Sequence, residues 1–133
     1  MRGGFINGGY MKKKTLNEWR DEIFAWAEKA GHHKNVNFSE KLMLTVSELS
    51  EAQEADRKGN WLANTFQYLA SYPKKIKDFE YANSVKGTVE EEIADAIIRL
   101  CDIAGIYGID LDAHVEAKMA YNEANYHKSE KKY

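Results

Sequence analysis

From Val89 to Tyr107 the chain carries a helix-length segment that is apolar almost all the way round and broken by one polar band. At ~100° per residue, Glu92, Asp95, Arg99 and Asp102 fall on that band. The rest of the circumference is Ile93, Ala94, Ala96, Ile97, Ile98, Leu100, Cys101, Ile103 and Ala104. A helix of this kind belongs in an interior. Its charged band then needs a polar surface or a water-filled cleft, because ionised carboxylates are costly away from water unless they are paired or bound to metal. The ends are marked as well. Gly87-Thr88 reads as a stop followed by an N-cap, Glu90, Glu91 and Glu92 suit the first turn, and Gly108 closes the segment.

The remaining elements follow the same helical spacing. A first helix is expected from about Thr15 to Ala30, with Thr15 and Glu18 at capping-box spacing and Gly31 as the stop. Its apolar positions Leu16, Trp19, Ile23, Trp26 and Ala27 assign both tryptophans to the core. After a loop that carries His32-His33, read as solvated with substrate contact the alternative because the loop precedes the acidic helix, Ser39 is the expected N-cap of a second helix running to about Lys58. Residues 60–87 read as an insert of shorter helix broken at Pro73, the chain's single proline. Asp110 is expected to cap a last helix reaching about Tyr126. No segment alternates like a strand. The fold class is therefore all-α: a four-helix-type bundle with an extra short helical insert.

At 133 residues the chain fits one domain. The glycine-rich start reads as a flexible leader over residues 1–14, upstream of an alternative start at Met11, and residues 15–133 form the helical domain. Nineteen basic against 21 acidic residues, a net charge of -2, give no reason to expect a nucleic-acid partner or an anionic membrane surface. The tyrosines and lysines of the tail, to Tyr133, read as a frayed end. Cys101 alone forms no intramolecular disulfide and reads as a core residue; with no segment resembling a spanning helix or signal peptide, this suggests the cytoplasm. Met43 and Met119 read as packing; Trp26, Trp61 and Phe38 read as core or dimer interface, with stacking on a nucleobase the lesser alternative.

On the second helix, Leu44, Glu48, Glu51 and Ala55 share a face, so two acids sit between two apolar residues. Lys41 and Lys58 lie two turns away from Glu48 and Glu51 respectively, which is not the spacing of a solvated ion-pair face. Two acidic pairs on apolar helices, Glu48-x-x-Glu51 and Glu92-x-x-Asp95, are most simply brought face to face around a hard cation. Oxygen ligands without His or Cys favour magnesium, manganese or calcium over zinc. Arg99 offsets part of the charge, and Asp102 on the same band is expected to orient a ligand or Arg99 from a second shell. A carboxylate-bridged di-iron bundle would need Glu-x-x-His pairs, and no Glu here has His three residues later.

The ordered motifs Leu44-Thr-Val-Ser-Glu48-Leu-Ser-Glu51-Ala and Glu91-Glu92-Ile-Ala-Asp95-Ala-Ile-Ile-Arg-Leu resemble the all-α nucleoside triphosphate pyrophosphohydrolases, the MazG-like superfamily. Leu16-Asn-Glu-Trp…Ala27-Glu-Lys-Ala-Gly31 is similar to that family's first helix, and Gly105-Ile-Tyr-Gly-Ile-Asp-Leu111 with Lys118-Met-Ala-Tyr-Asn122 to its closing part. The resemblance implies cleavage of a (d)NTP to (d)NMP and pyrophosphate with Mg2+, or Mn2+ in its place, by a homodimer or homotetramer. It implies Glu48, Glu51, Glu92 and Asp95 as metal ligands, with Glu48 or Glu51 also orienting the attacking water, and Lys118 and Asn122 as phosphate and sugar contacts. Asn125 departs from the Arg common in relatives; if that Arg grips phosphate, either His127, Lys128 or a tail lysine substitutes for it or affinity is weaker. The alternatives are a catalytically inactive nucleotide-binding or interaction module and a phosphoribosyl-nucleotide pyrophosphohydrolase.

Overall fold

The structure, a computed structural model, describes residues 13–62, 81 and 84–126. The expectations for the leader before residue 13, the Pro73 break and the tail lysines lie outside the described residues. Four helices make up the described fold: α1 (Leu16–Lys29), α2 (Phe38–Arg57), α3 (Val89–Tyr107) and α4 (Leu111–Ala124). There is no strand among the described residues.

Each helix starts at a side-chain cap. Thr15 and Glu18 close a capping box on α1, Thr88 accepts the Glu91 N–H on α3, and Asp110 accepts the Ala113 N–H on α4. For α2 the cap is Asn37, two residues ahead of the expected Ser39. Asn37 has extended backbone and its Oδ1 accepts the Glu40 N–H at 2.9 Å, so helical geometry is already set at Phe38. Gly108 ends α3 with φ of 65°, a left-handed position that a side chain would strain.

The central element is α3, packed against α2 and α1. Moving up α2 the contacts move down α3: Lys41 reaches Asp102, Glu48 reaches Arg99, and the Asn60 carbonyl after the helix accepts the Val89 N–H. The two helices are therefore antiparallel. On α1, Phe24 lies so close to Gly105 that a Cβ there would sit 2.8 Å from the Phe24 Cβ; glycine is what allows the approach. Near the start of α1 a reciprocal lock holds α4. Asp112 accepts the N–H groups of Leu16 and Asn17, both at 3.1 Å, while Asn17 Oδ1 accepts the Leu111 N–H at 2.8 Å. Each helix thus satisfies free N–H groups of the other.

The core is small: Ala27, Ala52, Ala55, Val85, Val89, Ala96, Cys101, Ile103 and Ala104 are buried, Cys101 as expected. Burial of α3 is one-sided. Ile93, Ile97 and Leu100 stay exposed, whereas Cys101, Ile103 and Ala104 toward the C-terminal end are buried, where α1 brings Phe24 against Gly105. The tryptophans also depart from their expected core role. Trp26 is 58% exposed and Trp19 lies at the surface, as do Met43, Met119 and Phe38. Trp61 is exposed too, its indole N–H donating to Asp56 at 2.8 Å. No helix among the described residues is long and apolar enough to cross a membrane.

Candidate metal centre

The acidic faces of α2 and α3 meet. One carboxylate oxygen from each of Glu48, Glu51 and Glu92 lies within 4.8 Å of the other two. The i,i+3 spacing on α2 points Glu48 and Glu51 the same way, and the antiparallel packing sets Glu92 opposite them. Glu92 is buried at 9% exposure, Glu48 is half-buried and Glu51 is exposed, so the cluster opens to solvent on the Glu51 side.

These acids strain one another electrostatically. Burial, then the charge of Glu51 and a hydrogen bond shared with Glu48, pushes the Glu92 carboxyl up to about 7. Asp95 is also raised, by burial and then by Glu91 and Glu48, with Arg99 and Lys86 opposing. Arg99 relieves one member, its Nε donating to Glu48 Oε2 at 2.7 Å. Among the described residues no hydrogen bond or ion pair engages Glu51. Three hard oxygen donors, one of them pushed up by burial and then by its neighbours' charge, are the donor set that a hard divalent cation relieves. Octahedral oxygens about 2.1 Å from magnesium stand about 3.0 Å apart at neighbouring positions and about 4.2 Å across the ion, separations that the 4.8 Å limit on this group accommodates. The residues fit such a cation.

Asp95, the fourth expected ligand, is not in the group of three. It lines a cavity of about 460 Å³ together with Glu48, Arg99 and Asp102 from the site helices. The other walls are Ile23, Trp26, Ala27, His32, Lys41, Leu44 and Ile98. The cavity therefore adjoins the carboxylates and presents apolar surface, an aromatic edge and two cations. Trp26 closes one side with His32 edge-on to it, ring centroids 5.2 Å apart.

Asp102 does not pair with Arg99. The two share a helix band, but Arg99 extends to Glu48, and Asp102 instead bonds His33 Nε2 at 2.8 Å and lies 3.6 Å from Lys41 Nζ. His33 is correspondingly not a solvated loop residue; its side chain is only 9% exposed and its ring stacks on Phe24. Lys118 and Asn122 sit on exposed α4, Lys118 over the Tyr121 ring and Asn122 beside Met119, and neither lines the cavity. Asn125 is the C-cap of α4, donating from Nδ2 to the Tyr121 carbonyl. His32 and Lys41 line the cavity, and His33 braces its wall residue Asp102; the one signal in the chain for these residues was the loop's position just ahead of the acidic helix. Compared with protein-family models, curated proteins and solved structures, the chain finds no match.

Proposed function

We propose that the protein is a divalent-cation-dependent pyrophosphohydrolase that converts a nucleoside triphosphate to its monophosphate and pyrophosphate. The observation that carries this reading is the meeting of Glu48, Glu51 and Glu92 within 4.8 Å beside a cavity that Asp95, Lys41, Arg99 and Trp26 line. The order of the two acidic motifs along the chain, similar to the MazG-like pattern, supports the same reaction.

In this reading Glu48, Glu51, Glu92 and Asp95 hold Mg2+ or Mn2+. When bound, the cation supplies the positive field that a polyanionic phosphate chain requires in an acidic site and polarises the phosphoryl oxygens. Glu51, which has no hydrogen bond or ion pair among the described residues, orients the attacking water and takes its proton as the α–β anhydride bond breaks. Glu48 is less suited to that role because Arg99 and Glu92 already engage it. Arg99 and Lys41 add positive charge on the cavity side, and Trp26 offers an exposed ring there. Exposed apolar rows, Leu42, Val46 and Leu49 on α2 and Ile93, Ile97 and Leu100 on α3, support a homodimer or homotetramer, in which a second copy brings Lys118 and Asn122 toward substrate.

The test is product analysis over a panel of canonical and modified (d)NTPs, with magnesium and with chelator. Equimolar pyrophosphate and monophosphate, formed only with the cation, support the proposal. A folded protein that releases neither from any triphosphate overturns it.

A further inference from the structure

His33 sits where three helices converge and is held at both ring nitrogens. Nδ1 lies 2.7 Å from Glu28 Oε1 of α1 and Nε2 lies 2.8 Å from Asp102 Oδ1 of α3. An ionised carboxylate only accepts hydrogen bonds, so both ring nitrogens must donate, and only the imidazolium has two N–H groups. A neutral ring would turn a lone pair toward one of the two carboxylates. The Phe24 face, 4.6 Å away and stacked, also suits a cation.

The charged groups around the ring are Glu28 from α1, Asp102 from α3 and Lys41 from α2, the last reaching the second oxygen of Asp102 at 3.6 Å. Two acids and one base leave a net negative surround. Burial works to lower the imidazole's affinity for its proton, but the hydrogen bonds it donates to Asp102 and Glu28, with their charges, outweigh it, and the ring is raised above its ordinary value.

The clasp does more than join helices. The segment between α1 and α2 presents His32, whose ring meets Trp26 and whose carbonyl accepts from Lys41 Nζ at 3.1 Å. His32, Lys41 and Asp102 are all cavity walls. We propose that protonated His33 is a positioning residue: bridging Glu28 and Asp102, it clamps residues 30–37 onto α3 and so sets the cavity wall beside the carboxylate cluster. Loss of the proton frees one arm, and the wall loosens. The effect on turnover rests on the pyrophosphohydrolase reading; the clasp itself does not.

The experiment is a pH titration of the full chain by ¹⁵N-resolved NMR of the histidine rings and backbone amides, with the same series for His33→Gln and Glu28→Gln. The second variant removes one exposed partner and guards against misfolding of the first. His33 is expected to carry protons on both nitrogens at neutral pH and to lose one above its ordinary range, with amides of residues 31–36 shifting in the same step. That step disappears in His33→Gln and moves to lower pH in Glu28→Gln. With substrate, KM is expected to rise about three- to tenfold across the step, the net worth of one ordinary hydrogen bond, with kcat changing less and the His33→Gln profile flat. A single neutral tautomer at neutral pH, or loop amides that ignore the titration, overturns the clasp. A clasp that titrates as stated while KM stays level overturns its positioning role. Absence of any turnover would strike the functional reading alone, because the NMR step stays readable.

Discussion

Replacing Glu92 by Gln distinguishes a metal ligand from an acid that merely supports the fold. In the metal-free protein Glu92 is buried against Glu48 and Glu51 and is pushed up to about 7, from an ordinary value near 4.5. A folded-state value above the unfolded one means that the folded chain holds the proton more tightly. That stability is fully present below the unfolded value and is lost as pH rises from about 4.5 to about 7. At ~1.4 kcal/mol per unit the full shift would be roughly 3 kcal/mol. Water reaching the cluster past exposed Glu51 screens this to about 1–2 kcal/mol. Gln keeps a donor for Glu48 and removes the charge. In chelator near pH 8, Glu92→Gln should therefore be the more stable protein, by about 4–7 °C in Tm for a chain of this length. Near pH 4.5 the two should coincide. Excess magnesium should reverse the order, since a cation at a hundredfold over its Kd stabilises the native state by about 2.7 kcal/mol and the variant has lost a ligand. Thermal unfolding followed by far-UV circular dichroism, with and without magnesium at both pH values, reads all four states. A variant less stable than wild type in chelator near pH 8, or one with an undiminished magnesium gain, refutes the reasoning.

Other perturbations follow from single contacts. Gly105→Ala gains helix propensity worth about 1 kcal/mol, yet its Cβ would lie 2.8 Å from the Phe24 Cβ, next to the α1 backbone. Overpacking there should leave a net loss of about 1–2 kcal/mol in denaturant unfolding; a stabilised variant would show that α1 and α3 are not in close contact. Asp112→Ala removes the acceptor for two N–H groups at the start of α1 and should lower stability by about 1 kcal/mol, with hydrogen exchange rising first at Leu16 and Asn17. Asp95→Asn and Glu48→Gln should each cut pyrophosphate release by ~100-fold or more while far-UV dichroism keeps its helical amplitude; full activity in either removes that residue from the site.

The helices were legible where the chain marks its own ends. Thr15 with Glu18, Thr88 and Gly108 act within one turn, so α1 and α3 begin and end where their caps place them. The α2 start moved to Asn37 because two good capping residues stand two apart, and only one adopts the extended backbone that a cap needs. The convergence of Glu48, Glu51 and Glu92 was readable because i,i+3 spacing fixes which side chains share a face. What periodicity leaves open is which face a neighbour covers. That is why Ile93 and Ile97 are exposed on a helix expected to be buried, and why Trp26 stands at a cavity edge instead of in the core. His33 and Asp102 lie 69 residues apart in sequence, and no local pattern joins them. Arg99 and Asp102 sit three residues apart on one helix, yet Arg99 pairs with Glu48 of α2 while Asp102 also holds His33 of the loop ahead of α2.

Direct cation binding tests the central claim most simply. Mn2+ titrated into chelator-treated protein, followed by electron paramagnetic resonance of the free ion, should show saturable binding that Mg2+ displaces. Binding should weaken sharply in Glu51→Gln and Glu92→Gln, whose helices remain intact. Free-ion signals that are the same for wild type and both variants would contradict the assignment of Glu48, Glu51 and Glu92 as a metal centre.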